Sequence, residues 1–165
     1  MPRLPQHCGC AVTDTASPTP SQTSSTGLGS GNTELELWQH TLATEHAVIW
    51  GFGVLGAVPG FADAAEAALR VHRERRATCV DAIVELNGDP VPSAPAYDVS
   101  RPANVAAARQ LGADLDAASS AAYAGLAGAT QRDARLLAAR WLRESAIAQT
   151  AWDGVIPALP GLEES

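Results

Sequence analysis

The feature that most restricts the fold is the spacing of apolar side chains, which follows the period of an α-helix in four successive segments. None of these segments shows the apolar/polar alternation that is typical of a half-buried strand. The predicted helices cover about residues 33–57, 61–87, 102–129 and 131–154. Because 165 residues is about the length of one domain, we predict an all-α protein with one four-helix bundle over residues 33–156.

Several helix ends carry sequence signals. Thr33 stands three residues before Glu36, which is a capping-box pattern at the start of the first helix. Pro102 is predicted to lie in the first turn of the third helix, where its fixed φ angle is tolerated. Thr130 and Asp133 are predicted to occupy capping positions of the fourth helix.

The link between the second and third helices is much longer than the other two links. Residues 88–102, GDPVPSAPAYDVSRP, contain four prolines, and fifteen residues in a polyproline-like conformation reach roughly 45 Å. A 25-residue helix is about 38 Å long. The link is therefore long enough to cross the whole bundle, which predicts the single-crossover arrangement of ferritin-like folds.

The two ends of the chain have a different composition. Residues 1–32 are rich in Ser, Thr, Gly and Pro, so they are predicted to form a disordered tail that cannot offset its ordering entropy by burial. Residues 157–165 are predicted to form a C-terminal tail. The three cysteines show neither a disulfide framework nor zinc-ligand spacing. Cys79 lies within a helical pattern and is predicted to be a small core residue.

Charge and hydropathy limit the partners. The formal net charge of −7 argues against nucleic acid, because binding to a phosphate backbone needs a basic surface. No apolar run approaches the roughly 20 residues of a membrane span. We therefore predict a cytoplasmic protein that binds neither nucleic acid nor membrane. The sequence leaves open whether the protein forms a homo-oligomer and whether it binds another protein.

The predicted inward face of the first helix is interrupted by one acid. Its apolar members are Leu35, Trp38, Leu42, Ile49 and Phe52, with Glu45 between them. The other three helices place His72, Asp116 and Glu144 near their midpoints. An ionised carboxylate in a dry core must be paired, protonated or bound to a metal. Other positions predicted to face inward include Arg76, Leu86, Ala118 and Ala151.

Three interpretations of these four polar residues are open. The first is a metal site for Fe, Mn or Zn with the ligands Glu45, His72, Asp116 and Glu144. The second is a metal-free network in which arginines neutralise the acids, with Arg76, Arg140 and Arg143 as candidates. The third is a helix phase that differs by one residue, so that some of these side chains face water. Asp114 is an alternative to Asp116.

Four segments carry a resemblance to a known family. They are LATEHAVIWGFGVLGA (42–57), RVHRERR (70–76), DPVPSAPAYDV (89–99) and LDAASSAAYAGL (115–126). Together they resemble an actinobacterial, alanine-rich, ferritin-like family that has no assigned function. The resemblance covers about residues 34–154. It implies a ferritin-like four-helix bundle and supplies no activity.

The resemblance also implies a metal-ligand pattern, because ferritin-like proteins bind two metals with Glu, E-x-x-H, Glu and E-x-x-H on successive helices. Glu45, His72 and Glu144 match this pattern. The departures are Leu69 and Ile147, which replace a glutamate and a histidine, and Asp116, which is a shorter acid. An intact di-iron oxidase site is therefore not present, and we assign no reaction.

Two functions remain. The first is a ferritin-like bundle of unassigned role with a degenerate carboxylate and histidine site that holds one cation or none. The second is a non-catalytic structural or protein-interaction module whose core acids are paired with arginines. The four tryptophans are interpreted as large core fillers, with a surface patch as the alternative. These residues are Trp38, Trp50, Trp141 and Trp152.

Overall fold

The computed structural model describes residues 33–128 and 132–153, and it confirms the prediction of four α-helices. They are α1 Glu34–Gly56, α2 Ala62–Glu85, α3 Val105–Leu126 and α4 Arg132–Asp153. The described residues contain no β-strand. The predicted tails, residues 1–32 and 157–165, and the predicted cap Thr130 lie outside the described residues. None of the helices within the described ranges combines the length and the apolar character that crossing a membrane requires.

The capping signals were correct at α1 and wrong at α3. The Thr33 hydroxyl accepts a hydrogen bond from the backbone N–H of Glu36, and the Glu36 carboxylate accepts one from the Thr33 N–H, as predicted. The third helix does not begin around Pro102. It begins at Val105, because the Asn104 side chain accepts a hydrogen bond from the N–H of Ala107 at 2.8 Å and caps the helix there.

Small residues allow close contacts between neighbouring helices. α1 packs against α2 and α3, and α3 also packs against α4. Gly51 allows α1 to approach α3 closely, because a Cβ atom at this position would overlap the side chain of Leu115. Gly60 lies in the turn between α1 and α2 with φ of +85°, a left-handed conformation that glycine adopts without strain.

The long link lies alongside α1. The Gln39 side chain donates to the carbonyl of Asp89 at 2.7 Å and accepts from the N–H of Val91 at 2.9 Å. Arg101 donates to the carbonyl of Ala57 at 3.2 Å. The first residues of the link therefore contact the N-terminal part of α1, and its last residues contact the end of that helix.

The interior has two apolar clusters. The first cluster contains Trp38, Leu42, Cys79, Ile83, Tyr123, Leu126, Ala134, Ala138 and Trp141. The second cluster contains Val48, Phe52, Leu55, Val58, Phe61, Ala65, Ala108 and Leu115. Along α1, α2 and α3, buried polar side chains stand between the residues of the two clusters, and on α4 the buried Ser145 follows the residues of the first cluster. We call these side chains the polar layer: Glu45, His72, Arg75, Asp116, Ser119 and Ser145.

Some predicted inward positions were wrong by one residue. Val48, not Ile49, is fully buried on α1. Ala118 and Ala151 are exposed, whereas the residues after them, Ser119 and Trp152, are buried and half-buried. Leu86 is also exposed, and it lies just after the end of α2. Neighbouring helical positions differ by about 100° around the axis, and the small alanine side chain does not indicate which of two neighbours faces the core. The pattern therefore located the inward stripe but not each of its members.

The cysteine and tryptophan predictions can be compared with their burial. Cys79 is fully buried in the first cluster, as predicted. Trp38 and Trp141 are core residues with perpendicular rings 6.2 Å apart. Trp50 is 41% exposed and lies against Tyr97 of the long link. The core-filler interpretation was therefore correct for two tryptophans and wrong for Trp50.

Candidate polar site in the helical interior

Glu45 lies at the centre of the polar layer and has no exposed surface. Its Oε2 atom is 2.9 Å from Nδ1 of His72 on α2. Its Oε1 atom accepts a hydrogen bond from the hydroxyl of Tyr123 on α3. Both carboxylate oxygens are therefore engaged by side chains of neighbouring helices, and this one acid links α1 to α2 and α3.

His72 lies between two acids. Its ring stacks on Phe52 with the centroids 5.3 Å apart, and its Nε2 atom faces Oδ1 of Asp116 at 3.8 Å, which is longer than a hydrogen bond. The other oxygen of Asp116 accepts from the indole N–H of Trp152 at 2.8 Å. Asp116 is buried and Asp114 is exposed, so Asp116 is the member of this pair that faces the interior.

Arg75 completes the layer, although sequence analysis did not select it. Its side chain is almost fully buried, and Nη1 donates to the Tyr123 hydroxyl at 3.1 Å and to the Ser145 hydroxyl at 2.9 Å. Nη2 donates to Glu144 at 2.9 Å. The guanidinium also lies over the rings of Tyr123 and Trp141. Arg75 therefore connects the interior of the layer to α4.

Glu144 occupies the edge of the layer rather than its interior. Its side chain is 47% exposed, whereas Ser145 is buried, so the predicted inward orientation of Glu144 was wrong by one position. Arg140, one of the three predicted arginines, lies 3.7 Å from the second oxygen of Glu144. The buried arginine that pairs with this acid is Arg75, the residue before the predicted Arg76.

The burial of these groups shifts their proton affinities. Burial lowers the pKa of His72, but the carboxylates of Asp116 and Glu45 together raise it by a larger amount. The pKa of this histidine therefore lies above its ordinary value. Burial raises the pKa of the Tyr123 hydroxyl, and the Glu45 carboxylate raises it further. Tyr123 is therefore a neutral phenol that donates its proton to Glu45.

The arrangement does not fit a resident metal ion well. Among the residues that the structure describes, no three or more His, Cys, Asp or Glu side chains are grouped so that they could hold a metal. Both oxygens of Glu45 accept hydrogen bonds, Glu144 pairs with Arg75, and a guanidinium cation repels a divalent cation. The geometry favours a metal-free network, and metal binding by the four predicted residues stays a prediction.

Two partners of the acids were not identified by the sequence patterns: Arg75 of the polar layer and Tyr123 of the first cluster. One usable signal was present, because Tyr123 stands seven residues after Asp116 and therefore lies on the same face of α3. Arg75 had no comparable signal. Arg75 and Arg76 lie three and four residues after His72, and both spacings are compatible with one helix face.

Comparisons with known proteins place the chain in a group without an assigned role. Residues 38–164 match the family described as domain of unknown function (DUF4439). Among solved structures, the chain is similar to a conserved hypothetical protein, rv2844, from Mycobacterium tuberculosis, with a TM-score of 0.69 and 26% sequence identity. This similarity covers 78% of the present chain and 98% of the mycobacterial one. The curated proteins contain no match.

Proposed function

Because the chain belongs to the family described as domain of unknown function (DUF4439), whose description assigns no activity, we propose a role from the polar layer itself. The protein is a non-catalytic structural module, a ferritin-like bundle whose interior acids are neutralised by its own side chains. The membership confirms the predicted family of unknown function. The ferritin-like and alanine-rich character of that family belongs to the proposal.

The ferritin-like topology is supported by the apolar clusters and the long link. The first cluster joins the N-terminal halves of α1 and α4 to the C-terminal halves of α2 and α3. This arrangement is expected when α2 and α3 run in the same direction, which requires a connection along the whole bundle. The contacts of Gln39 with residues 89–91 and of Arg101 with Ala57 support such a crossover.

The observation that best supports the proposal is that both carboxylate oxygens of Glu45 have hydrogen-bond partners. Its two oxygens are held by His72 and Tyr123, and Tyr123 in turn accepts from Arg75, which pairs with Glu144. Side chains from all four helices are therefore joined in one network. We infer that this network fixes the register of the four helices, because any sliding would leave charged groups without partners.

Elemental analysis tests this proposal against metal binding. The full chain is purified without chelator or metal-affinity tag and is analysed before and after challenge with Fe(II), Mn(II) and Zn(II). We expect no stoichiometric metal in either case. About one or two ions per chain, lost in Glu45→Ala and retained in the exposed control Glu74→Ala, would contradict the structural role and would establish the predicted metal site.

The proposal includes the cellular setting predicted from the sequence. The module is cytoplasmic. It does not bind nucleic acid, because its net charge of −7 disfavours contact with a phosphate backbone. A homo-oligomer or a protein partner would use the outer surface, where Trp50, Val105 and Leu136 are exposed. Size-exclusion chromatography with light scattering measures the oligomeric state directly.

A further inference from the structure

A groove opens beside the polar layer, between α2 and α4. Within the described residues, these two helices are not among the pairs whose backbones pack closely together. The space between them is a cavity of about 500 Å³, which lies within the usual size range of small-molecule sites. Its apolar walls are formed by Ala64, Ala67, Ala68, Val71, Ala148 and Ala151.

The floor of the groove carries two polar atoms that face each other. His72 and Asp116 both line the groove, although each is at least nine-tenths buried. The Nε2 atom of His72 and the Oδ1 atom of Asp116 are 3.8 Å apart, too far for a direct hydrogen bond. The hydrogen bonds of the described residues use the opposite atoms, Nδ1 and Oδ2. The two facing atoms are therefore available to a ligand.

The spacing and the charges select the ligand's polar group. When both ring nitrogens of His72 carry protons, a single oxygen placed between the two atoms can accept from Nε2–H and donate to the Asp116 carboxylate, and a hydroxyl group does both. Both signs of charge line the groove. A carboxylate ligand would face Asp116 and Glu144, and an ammonium ligand would face Arg70 and the buried guanidinium of Arg75. A neutral hydroxyl group meets neither repulsion.

We propose that the groove between α2 and α4 binds a neutral, largely apolar small molecule through a hydroxyl group placed between His72 and Asp116. The alanine walls and the half-buried side of Trp152 contact its apolar body. This binding activity goes beyond the structural role of the polar layer. It uses only atoms that the network leaves without a hydrogen bond.

The test compares three probes with the same chain and different head groups: 1-octanol, octanoate and octylamine. The signal is the indole N–H resonance of Trp152 in two-dimensional NMR of the full chain, because this N–H lies at the groove and donates to Asp116. Trp152→Phe identifies the resonance by removing it. We expect a saturable shift with octanol and an affinity about tenfold or more higher than for either charged probe.

Two variants fill the groove and one serves as control. Ala148→Leu and the exposed Ala64→Leu should each weaken octanol binding about tenfold or more, because the added side chain occupies the cavity. Ala118→Leu adds the same atoms on the exposed face of α3, away from the groove, and should leave binding unchanged. Far-UV circular dichroism checks that each variant is folded.

Three results would overturn the proposal. The first is the absence of any saturable shift of the Trp152 resonance with octanol. The second is equal affinity for all three probes, which would indicate nonspecific apolar binding. The third is full octanol binding in a folded groove-filling variant. Ala64→Leu keeps the test decisive if Ala148→Leu does not fold, because Ala64 is exposed at the edge of the groove.

Discussion

Replacing Glu45 by leucine should destabilise the protein, although it removes an acid from a core. The partners of Glu45 are the reason. Tyr123 and His72 are both buried, and neither can turn toward water when the carboxylate is lost. Tyr123 would still accept from Arg75, but its own hydroxyl proton would have no acceptor.

The size of the effect follows from these contacts. Removing one partner of a buried charged pair costs about 3–5 kcal/mol, because the other charge is left uncompensated. The apolar side chain of leucine offsets about 1–2 kcal/mol through its burial. We therefore expect Glu45→Leu to lower the free energy of unfolding by about 1–4 kcal/mol, the range of differences between these two effects.

Urea unfolding followed by circular dichroism measures this change, with Glu74→Leu as a control on the exposed face of α2. The control should change the free energy of unfolding by less than about 0.5 kcal/mol. The double variant Glu45→Leu/Tyr123→Phe should be more stable than the sum of its single variants predicts, because it removes the unpaired hydroxyl while Arg75 keeps Ser145 as an acceptor. Equal stability of Glu45→Leu and the control would refute the argument.

Three further predictions concern other parts of the fold. Because the folded-state pKa of His72 is raised, the stabilisation by its imidazolium is fully present below the unfolded pKa of about 6.5 and is lost as the pH rises through the folded value. Urea unfolding over a pH series should show this decline in the free energy of unfolding. The decline should be smaller in His72→Gln. Gly51→Ala should destabilise the protein by about 1–3 kcal/mol because the new Cβ atom overlaps Leu115. Gly53→Ala has no neighbour within 4 Å and should stabilise the protein by about 0.5–1 kcal/mol. Thermal unfolding that moves the melting temperatures of both variants in the same direction would contradict this prediction. Thr33→Ala should cost about 0.5–2 kcal/mol by removing the cap of α1, and an unchanged urea midpoint would exclude a stabilising capping box.

Local sequence signals predicted a helix end correctly where only one residue was a good candidate for the cap. Thr33 and Glu36 formed the predicted capping box because both hydrogen bonds lie within one turn. At α3 the signals competed, since Pro102 and Asn104 are both acceptable near a helix start. The long link before α3 is held to α1 by contacts between distant residues, such as that of Arg101 with Ala57, and local signals do not encode such contacts.

The polar layer was predictable in part. Glu45 was identified because it interrupts an otherwise apolar helix face, and His72 and Asp116 because they are ionisable residues near the midpoints of their helices. All three are buried. The pattern did not identify what neutralises them. The pairs of Glu45 with Tyr123 and of Arg75 with Glu144 join residues 78 and 69 positions apart, and no spacing within a single helix encodes such contacts.

The central claim is that the polar layer is neutralised by its own side chains, and ¹⁵N NMR of the His72 ring tests it most directly. His72→Gln assigns the ring signals among the four histidines. We predict that Nδ1 carries a proton hydrogen-bonded to Glu45 at neutral pH, and that adding Zn(II) or Mn(II) leaves the His72 signals unchanged. An Nδ1 atom without a proton, or signals that shift with stoichiometric Zn(II) and broaden with stoichiometric Mn(II), would contradict the account.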